Sequence, residues 1–268
     1  MSRAARIALV VVAAVAAALF FFGGTFVAIA TDAAWFDAAG YGSVFTTTLL
    51  ARLGLGAVAG LAAFAALQAN AVLALSRSPG GKAINPELVD NPIGRILLRV
   101  PAATLTGIVS VLLALFVGLF LSTQWDTLLL FLNGSSFDYT EPVLGHDASF
   151  YVFTLPLIEV VRGTLFSVVV LCVISAAILY AIRGAIKLDV VESGGQAEIR
   201  GVEVPTFVKA HLAVLVAMGL LLMAAGSWLA RYDLLYDQSG LISGPGSAAH
   251  IVNMALCFRT SMLPGWPL

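Results

Sequence analysis

The sequence predicts an all-α polytopic membrane protein, a bundle of about five transmembrane helices with a structured outer loop. Three observations predict it. Hydrophobic residues make up 60% of the chain and charged residues only 11%, with a mean hydropathy of +0.99; a soluble domain carries about 25% charged residues. Five long apolar stretches contain no Asp, Glu, Lys or Arg. The basic residues gather in alternate connections between those stretches, as they do in a chain that crosses a membrane repeatedly.

A spanning helix needs about 20 apolar residues, because each adds about 1.5 Å across a hydrocarbon core of about 30 Å. The stretches that meet this are Ile7–Ala30, Leu53–Leu75, Val100–Leu121, Gly163–Ile182 and Ala210–Leu229. The first follows Arg3 and Arg6 and ends in Ala28-Ile29-Ala30, which resembles a signal-peptidase site. It exceeds a signal core of about 7–15 residues, so a retained anchor is expected. The tail from Ala248 to Leu263 holds His250 and Arg259, is broken by Pro264, and reads as an interfacial or soluble segment.

Orientation follows from charge. The N-terminal segment and the connections 76–99 and 183–209 hold ten of the fourteen Lys and Arg residues, among them Arg77, Arg95, Arg99, Arg183 and Lys187. Ser122–Val161 holds none and carries Asp126, Asp138, Glu141, Asp147 and Glu159. Positive connections stay inside. The expected location is the plasma membrane, with the N-terminus cytoplasmic and 31–52, 122–162 and 230–268 outside. Inside, Ile93–Arg99 reads as a helix start with snorkelling arginines. Glu192-Ser193-Gly194-Gly195, between short β-prone stretches, is a weak hairpin signal.

The span centres lack ionisable groups, which counts against a proton-coupled pump or a voltage sensor. Gln68 and Asn70 are expected to bond between helices, and His211 to be solvated at an inner boundary. Gly56 and Gly60 are four apart, the spacing that lets a second helix approach closely. A net charge of −1 offers no basic field for nucleic acid. Cys172 and Cys257 form neither a disulfide framework nor a metal pattern. No G-x-S-x-G elbow, H-E-x-x-H or P-loop occurs, so no catalytic, cofactor-binding or metal residue is assigned and the chain reads as a non-enzyme without cofactors.

The outer segment is the most patterned. It holds Trp125, Phe131, Phe137, Tyr139, Phe150, Tyr151 and Phe153, with Pro142, Gly145 and Pro156 at turn positions. Seven aromatic side chains in one short loop would leave a large apolar patch in water. Trp125, Phe137, Phe150, Tyr151 and Phe153 are therefore expected to pack together. Asp147 is expected to cap a helix beginning near Ser149, on which Phe150 and Phe153 share a face. Asp138, Glu141, His146 and Asp147 offer hard-cation or zinc ligand types, but their spacing matches no defined site, and solvation and capping explain them more simply. Arg52, Arg162 and Arg231 lie near the outer ends of spans.

Three blocks of residues carry a resemblance: Trp35–Phe45; the outer loop, with PVLGHDASFYVFTLP its most specific part; and the run from His211 through Arg231, Leu234, Leu235, Tyr236 and Gly240 to Gly246. They are similar to uncharacterised protein family 0182 of bacterial membrane proteins. The resemblance covers about residues 1–246, taken as the membrane domain, with 247–268 a short tail outside the family pattern, and implies an N-terminal multi-span region followed by a large extracytoplasmic part, with no established activity. This chain stops at Leu268, as a truncated copy, a frameshifted product or a short variant would. The functional expectation is a membrane scaffold or anchor that presents an outer surface to a partner. The alternative is a component of a transporter or channel. Either implies the lipid bilayer as partner, with homo-oligomers or partner membrane chains.

Overall fold

The structure is a computed structural model that describes residues 12, 23–77, 101–142, 144–185, 187–193 and 196–233. Two compact units divide the chain, Met1–Leu53 and Gly54–Leu268. Helix α1 covers residues 23–38, and α2 runs over Gly42–Ser76, beginning in the first unit and ending in the second. Next come α3 (Ala102–Ser122), the short α4 (Trp125–Leu132), a five-residue π-helical segment (Phe150–Thr154) that leads directly into α5 (Leu155–Ile182), a two-stranded hairpin of β1 (Lys187–Ser193) and β2 (Gln196–Glu203), and α6 (Thr206–Leu229).

Among the described residues, four helices are long and apolar enough to cross a membrane: Gly42–Ser76, Ala102–Ser122, Phe150–Ile182 and Thr206–Leu229. They match four of the five predicted spans. Most of the first predicted span, the inner connection through Arg99 and the tail lie outside the described residues. The chain is an all-α, polytopic helix bundle, to which the hairpin adds a small antiparallel sheet. Its register pairs Ser193 with Gln196 across residues 194–195, where the sequence signals a turn.

The outer segment predicted at 31–52 is mostly helix. Only residues 39–41 separate α1 from α2. Gly40 takes φ +79, the amide of Tyr41 bonds the Phe36 carbonyl and that of Gly40 bonds the Asp37 carbonyl. This pair of bonds is a Schellman stop, which glycine permits because it enters the left-handed region without a Cβ clash. Trp35, Phe36 and Phe45 pack ring to ring around that corner.

In the second unit three clusters of buried residues stack along the helices. At the end that carries the hairpin, Ala74, Ala176, Tyr180, Ala185 and Val208 come together. Ala63, Ala114 and Val117 form the next. At the end that carries the loop 133–149, Tyr151, Leu155 and Tyr232 form the third. The small residues at these levels set how closely the helices approach. A Cβ on Gly118 would lie 2.6 Å from the Gly56 carbonyl oxygen, and one on Gly60 would lie 3.3 Å from that of Ala114. Gly56 and Gly60 therefore do what their spacing predicts, and Gly118 of α3 is the partner they meet. The opposite face of α3 is open, with Phe116 and Leu119 about 70% and 69% exposed. In water such a face would be a liability; against lipid it is the ordinary exterior of a bundle whose backbone is satisfied within each helix.

A candidate surface site at the loop end of the bundle

Asp147 organises the loop. Its Oδ1 accepts the amide of Ser149 at 2.8 Å and that of Phe137 at 3.2 Å, and Ser136 Oγ donates to its Oδ2 at 3.0 Å. The first bond is the expected helix cap. The other two are not legible in the sequence, because they bring residues ten and eleven positions away onto the same carboxylate. Hydrogen bonds from Ser149, then those from Phe137 and Ser136, hold this carboxyl well below the usual carboxylate range. A bridge between Thr140 and Asp147, with the Ala148 amide on the Tyr139 carbonyl, closes the loop into a small hairpin-like turn.

Glu141 works inside that turn. Its Oε2 accepts the amide of Leu144 at 2.6 Å, its own amide bonds the His146 carbonyl, and Gly145 takes φ +75. Asp138, at φ +54, accepts from Ser136. The acidic cluster thus separates into different tasks. Asp147 and Glu141 hold backbone amides, and His146 turns to a ring stack. Among the described residues no group of three His, Cys, Asp or Glu side chains is placed to hold a metal ion.

The aromatic residues form two groups rather than the predicted one. Phe137 packs on Phe153 at 5.5 Å between ring centroids, and Phe153 lies so close to Gly134 that a Cβ there would meet its ring at 2.9 Å. Phe150 and Tyr151 instead join His146 and Tyr232: His146 stacks on Phe150 at 4.5 Å, and Tyr232 lies 5.3 Å from Phe150 and 5.8 Å from Tyr151. The correction has a local cause. Residues 150–154 form a π-helical turn, in which each residue advances by less than in an α-helix. Residues three apart then do not share a face, so Phe150 and Phe153 diverge into different groups.

The second group continues onto the end of α6. Tyr232 is buried and its hydroxyl lies 3.3 Å from His146 Nε2. Arg231 Nη2 donates to the same hydroxyl at 2.6 Å, and the guanidinium lies 3.9 Å from the centroid of the Trp228 ring and 4.6 Å from that of Tyr232. Arginine only donates, so the Tyr232 oxygen accepts from it and leaves the phenol proton for His146. One turn earlier, the guanidinium of Arg162 from α5 lies over Gly226, where a Cβ would meet Nη1 at 2.7 Å. Glu159 is within electrostatic reach of Asp233 and Arg162. The sequence places Arg162 and Arg231 at this end, but does not place Gly226 against Arg162 or His146 against Tyr232. The adjacent Trp228, Arg231 and Tyr232 are themselves a readable signal, since Arg stacks readily on aromatic rings.

At the hairpin end the polar residues are used between helices. Asn70 Nδ2 donates to the Cys172 carbonyl at 3.0 Å and to Ser175 Oγ at 3.1 Å, which is the interhelical role predicted for it. Gln68 Oε1 is buried and has no partner among the described residues. His211 is not solvated. It is only 9% exposed, and its Nδ1 lies 2.8 Å from the Tyr180 hydroxyl. Phe207 stacks beside it, and Arg77 lies over Phe207. Polarity near a span end suggested water, but the packing of α5 on α6 supplies Tyr180 instead.

Comparisons with known proteins place the chain in one family. The UPF0182 family model, described as an uncharacterised protein family, matches residues 9–262, and so runs past Gly246 into the tail. The chain is 35% identical over 239 residues to a UPF0182 protein of Trichlorobacter lovleyi, a match that covers 88% of this chain and 25% of that protein. It is 35% identical over 232 residues to one from Geobacter sp. strain M21, covering 83% and 24%, and 34% identical over 220 residues to one from Salinispora arenicola, covering 81% and 21%. The chain thus spans about a quarter of the length of these relatives. No solved structure matches it.

Proposed function

The chain belongs to the uncharacterised protein family UPF0182, and from that premise we propose that it is a plasma-membrane scaffold or anchor that presents a folded extracytoplasmic surface to a partner. Its N-terminus is cytoplasmic, and the loop 133–149 with the adjoining helix ends faces outward.

One observation carries this reading. The loop is built to hold a shape. Asp147 and Glu141 fix its backbone, and His146, Phe150 and Tyr151 lock it onto Tyr232. What it leaves open is aromatic: Tyr139 is 61% exposed and Phe137 about half. Rigid aromatic side chains on a fixed loop suit recognition, because little conformational entropy is lost when they are covered. The interior supports the same reading over transport. The amide nitrogen of Asn70 is bonded to Cys172 and Ser175 of α5, as helix glue is, while its Oδ1 has no partner among the described residues.

The test is site-specific photo-crosslinking in intact cells. A photoreactive residue at Tyr139 is expected to give a discrete adduct with another membrane or envelope component, and one at Leu119 of the open α3 face only lipid adducts. Absence of a discrete adduct from Tyr139, Phe137 and Leu132 alike would count against a presented surface.

A further inference from the structure

Helix α4 follows α3 after the turn Thr123-Gln124 and ends in five consecutive apolar residues, Leu128 to Leu132. It lies against α5 and the π-helical segment. None of its side chains is fully buried, and Leu130, Phe131 and Leu132 are 50%, 41% and 65% exposed. A helix of eight residues is too short to hold itself together in water, and an apolar end left there would be a liability. Its place in the chain says what covers it. Helix α3 has 21 residues, as long as the hydrocarbon core is thick, about 30 Å. Its open face reaches almost to its end, with Leu119 and Phe120 69% and 59% exposed. So α4 begins where that span leaves the hydrocarbon. The polar groups of this stretch suit a dry surrounding as well. Ser122 Oγ donates to the Leu119 carbonyl at 2.7 Å, Thr123 Oγ1 to that of Phe120 at 2.7 Å and Asn133 Nδ2 to that of Leu129 at 2.8 Å. The Gly134 amide bonds the Phe131 carbonyl. Carbonyls that a helix end ordinarily leaves to water are thus taken up by the chain itself at the ends of both helices.

From these observations we infer that α4 is an interfacial helix whose partner is lipid: Leu130, Phe131 and Leu132 lie among the acyl chains just below the headgroups of the leaflet at the loop end. Apolar burial drives this contact. Ser122–Val161 has no Lys or Arg, so the segment offers anionic headgroups no cation to pair with. The surface it takes is a phospholipid leaflet of any headgroup charge rather than an acidic one. Asp126, the one charged residue of α4, stands in its first turn and is exposed, away from the apolar end. The far end of the helix is fixed to the bundle. Gly134 takes the Phe153 ring so closely that a Cβ there would meet it at 2.9 Å. Held between leaflet and bundle, α4 sets the height at which the loop 133–149 stands above the lipid. The inference goes beyond the scaffold reading and does not depend on a protein partner or on which side of the membrane the loop occupies.

The full chain tests it, with Cys172 and Cys257 replaced by Ser, in phosphatidylcholine nanodiscs that leave both faces open to solution. A nitroxide label is attached at Leu130→Cys, Phe131→Cys or Leu132→Cys. Its surroundings are read by power saturation with oxygen, which concentrates in lipid, and with a water-soluble nickel complex. The labels are expected to be open to oxygen and shielded from nickel, as one at Leu119→Cys on the α3 face is, whereas one at Tyr139→Cys is open to nickel. Adding phosphatidylglycerol to the nanodiscs is expected to change neither reading. Three neighbouring exposed sites keep the test decisive if one variant fails to fold. Labels open to nickel would place α4 in water. Labels shielded from both reagents would show a protein cover, from a second copy or another chain. Shielding that needs phosphatidylglycerol would show a contact driven by charge. Any of these three results would overturn the inference.

Discussion

At the scale of single residues, two positions decide local structure by opposite means. Gly118 acts through what it lacks. Its Cα faces the backbone of Gly56, and a methyl group there would lie 2.6 Å from a carbonyl oxygen. Gly118→Ala is expected to cost about 1–3 kcal/mol by forcing α2 and α3 apart. Gly54→Ala, with nothing within 4 Å, is expected to be neutral. Thermal unfolding of both variants in detergent checks the difference, and equal stability would remove the close crossing. Asp147 acts through its charge. Its folded carboxyl titrates below the ordinary value, so the order it confers is present above the unfolded pKa and is lost as pH falls toward the folded one. The amides of Phe137 and Ser149 should therefore keep their protection from neutral pH down to about pH 5. They should lose it only below about 3.9, the ordinary carboxylate value. Asp147→Asn should expose both amides already at neutral pH. Hydrogen exchange measures this, and a loop that loosens between pH 7 and 5 would assign its order to another group.

At the scale of elements, the sequence shows where helices lie better than what they meet. Four of the spans were legible because uncharged apolar runs of that length have no other stable home than lipid. Their starts were not. Helix α2 begins at Gly42 and α5 at Leu155, well before the apolar runs, because Arg52, Glu159 and Arg162 are helical although charged. Apolarity marks the buried length of a helix, whereas hydrogen bonding sets its full length. The π-helical turn at 150–154 was illegible for a related reason: spacing arguments assume 3.6 residues per turn, and one altered turn moves Phe153 away from Phe150. The Tyr180–His211 contact shows the limit from the packing side. The two residues are 31 apart, and only the seating of α5 on α6 joins them. Tyr180→Phe leaves the buried His211 nitrogen without its partner and is expected to cost about 1–3 kcal/mol. Adding His211→Leu removes the stranded group as well, so the double variant should lose less than the two single losses combined. Strict additivity in unfolding experiments would show that the contact contributes nothing.

At the scale of the molecule, the second unit has two chemically distinct ends. The loop end gathers Asp147, Glu141, His146, Tyr232, Arg162 and Arg231 into a fixed surface, and the hairpin end buries Tyr180 and His211 beside a two-stranded sheet. The sequence predicts that these ends lie on opposite sides, since the loop has no Lys or Arg and the connection 183–209 has several. The candidate site was legible only as ingredients: its arginines, acids and aromatics could be named, but the pairing of Arg162 with Gly226, of His146 with Tyr232 and of Asp147 with the Phe137 amide depends on tertiary contacts that no spacing encodes. Whether the fixed surface faces outward is the central claim. It is tested most directly by labelling single cysteines with a membrane-impermeant maleimide, in a background with Cys172 and Cys257 replaced by Ser. Tyr139→Cys is expected to label in intact cells, and Ser193→Cys only after the membrane is permeabilised. Labelling of Ser193→Cys in intact cells, with Tyr139→Cys silent until permeabilisation, would contradict it.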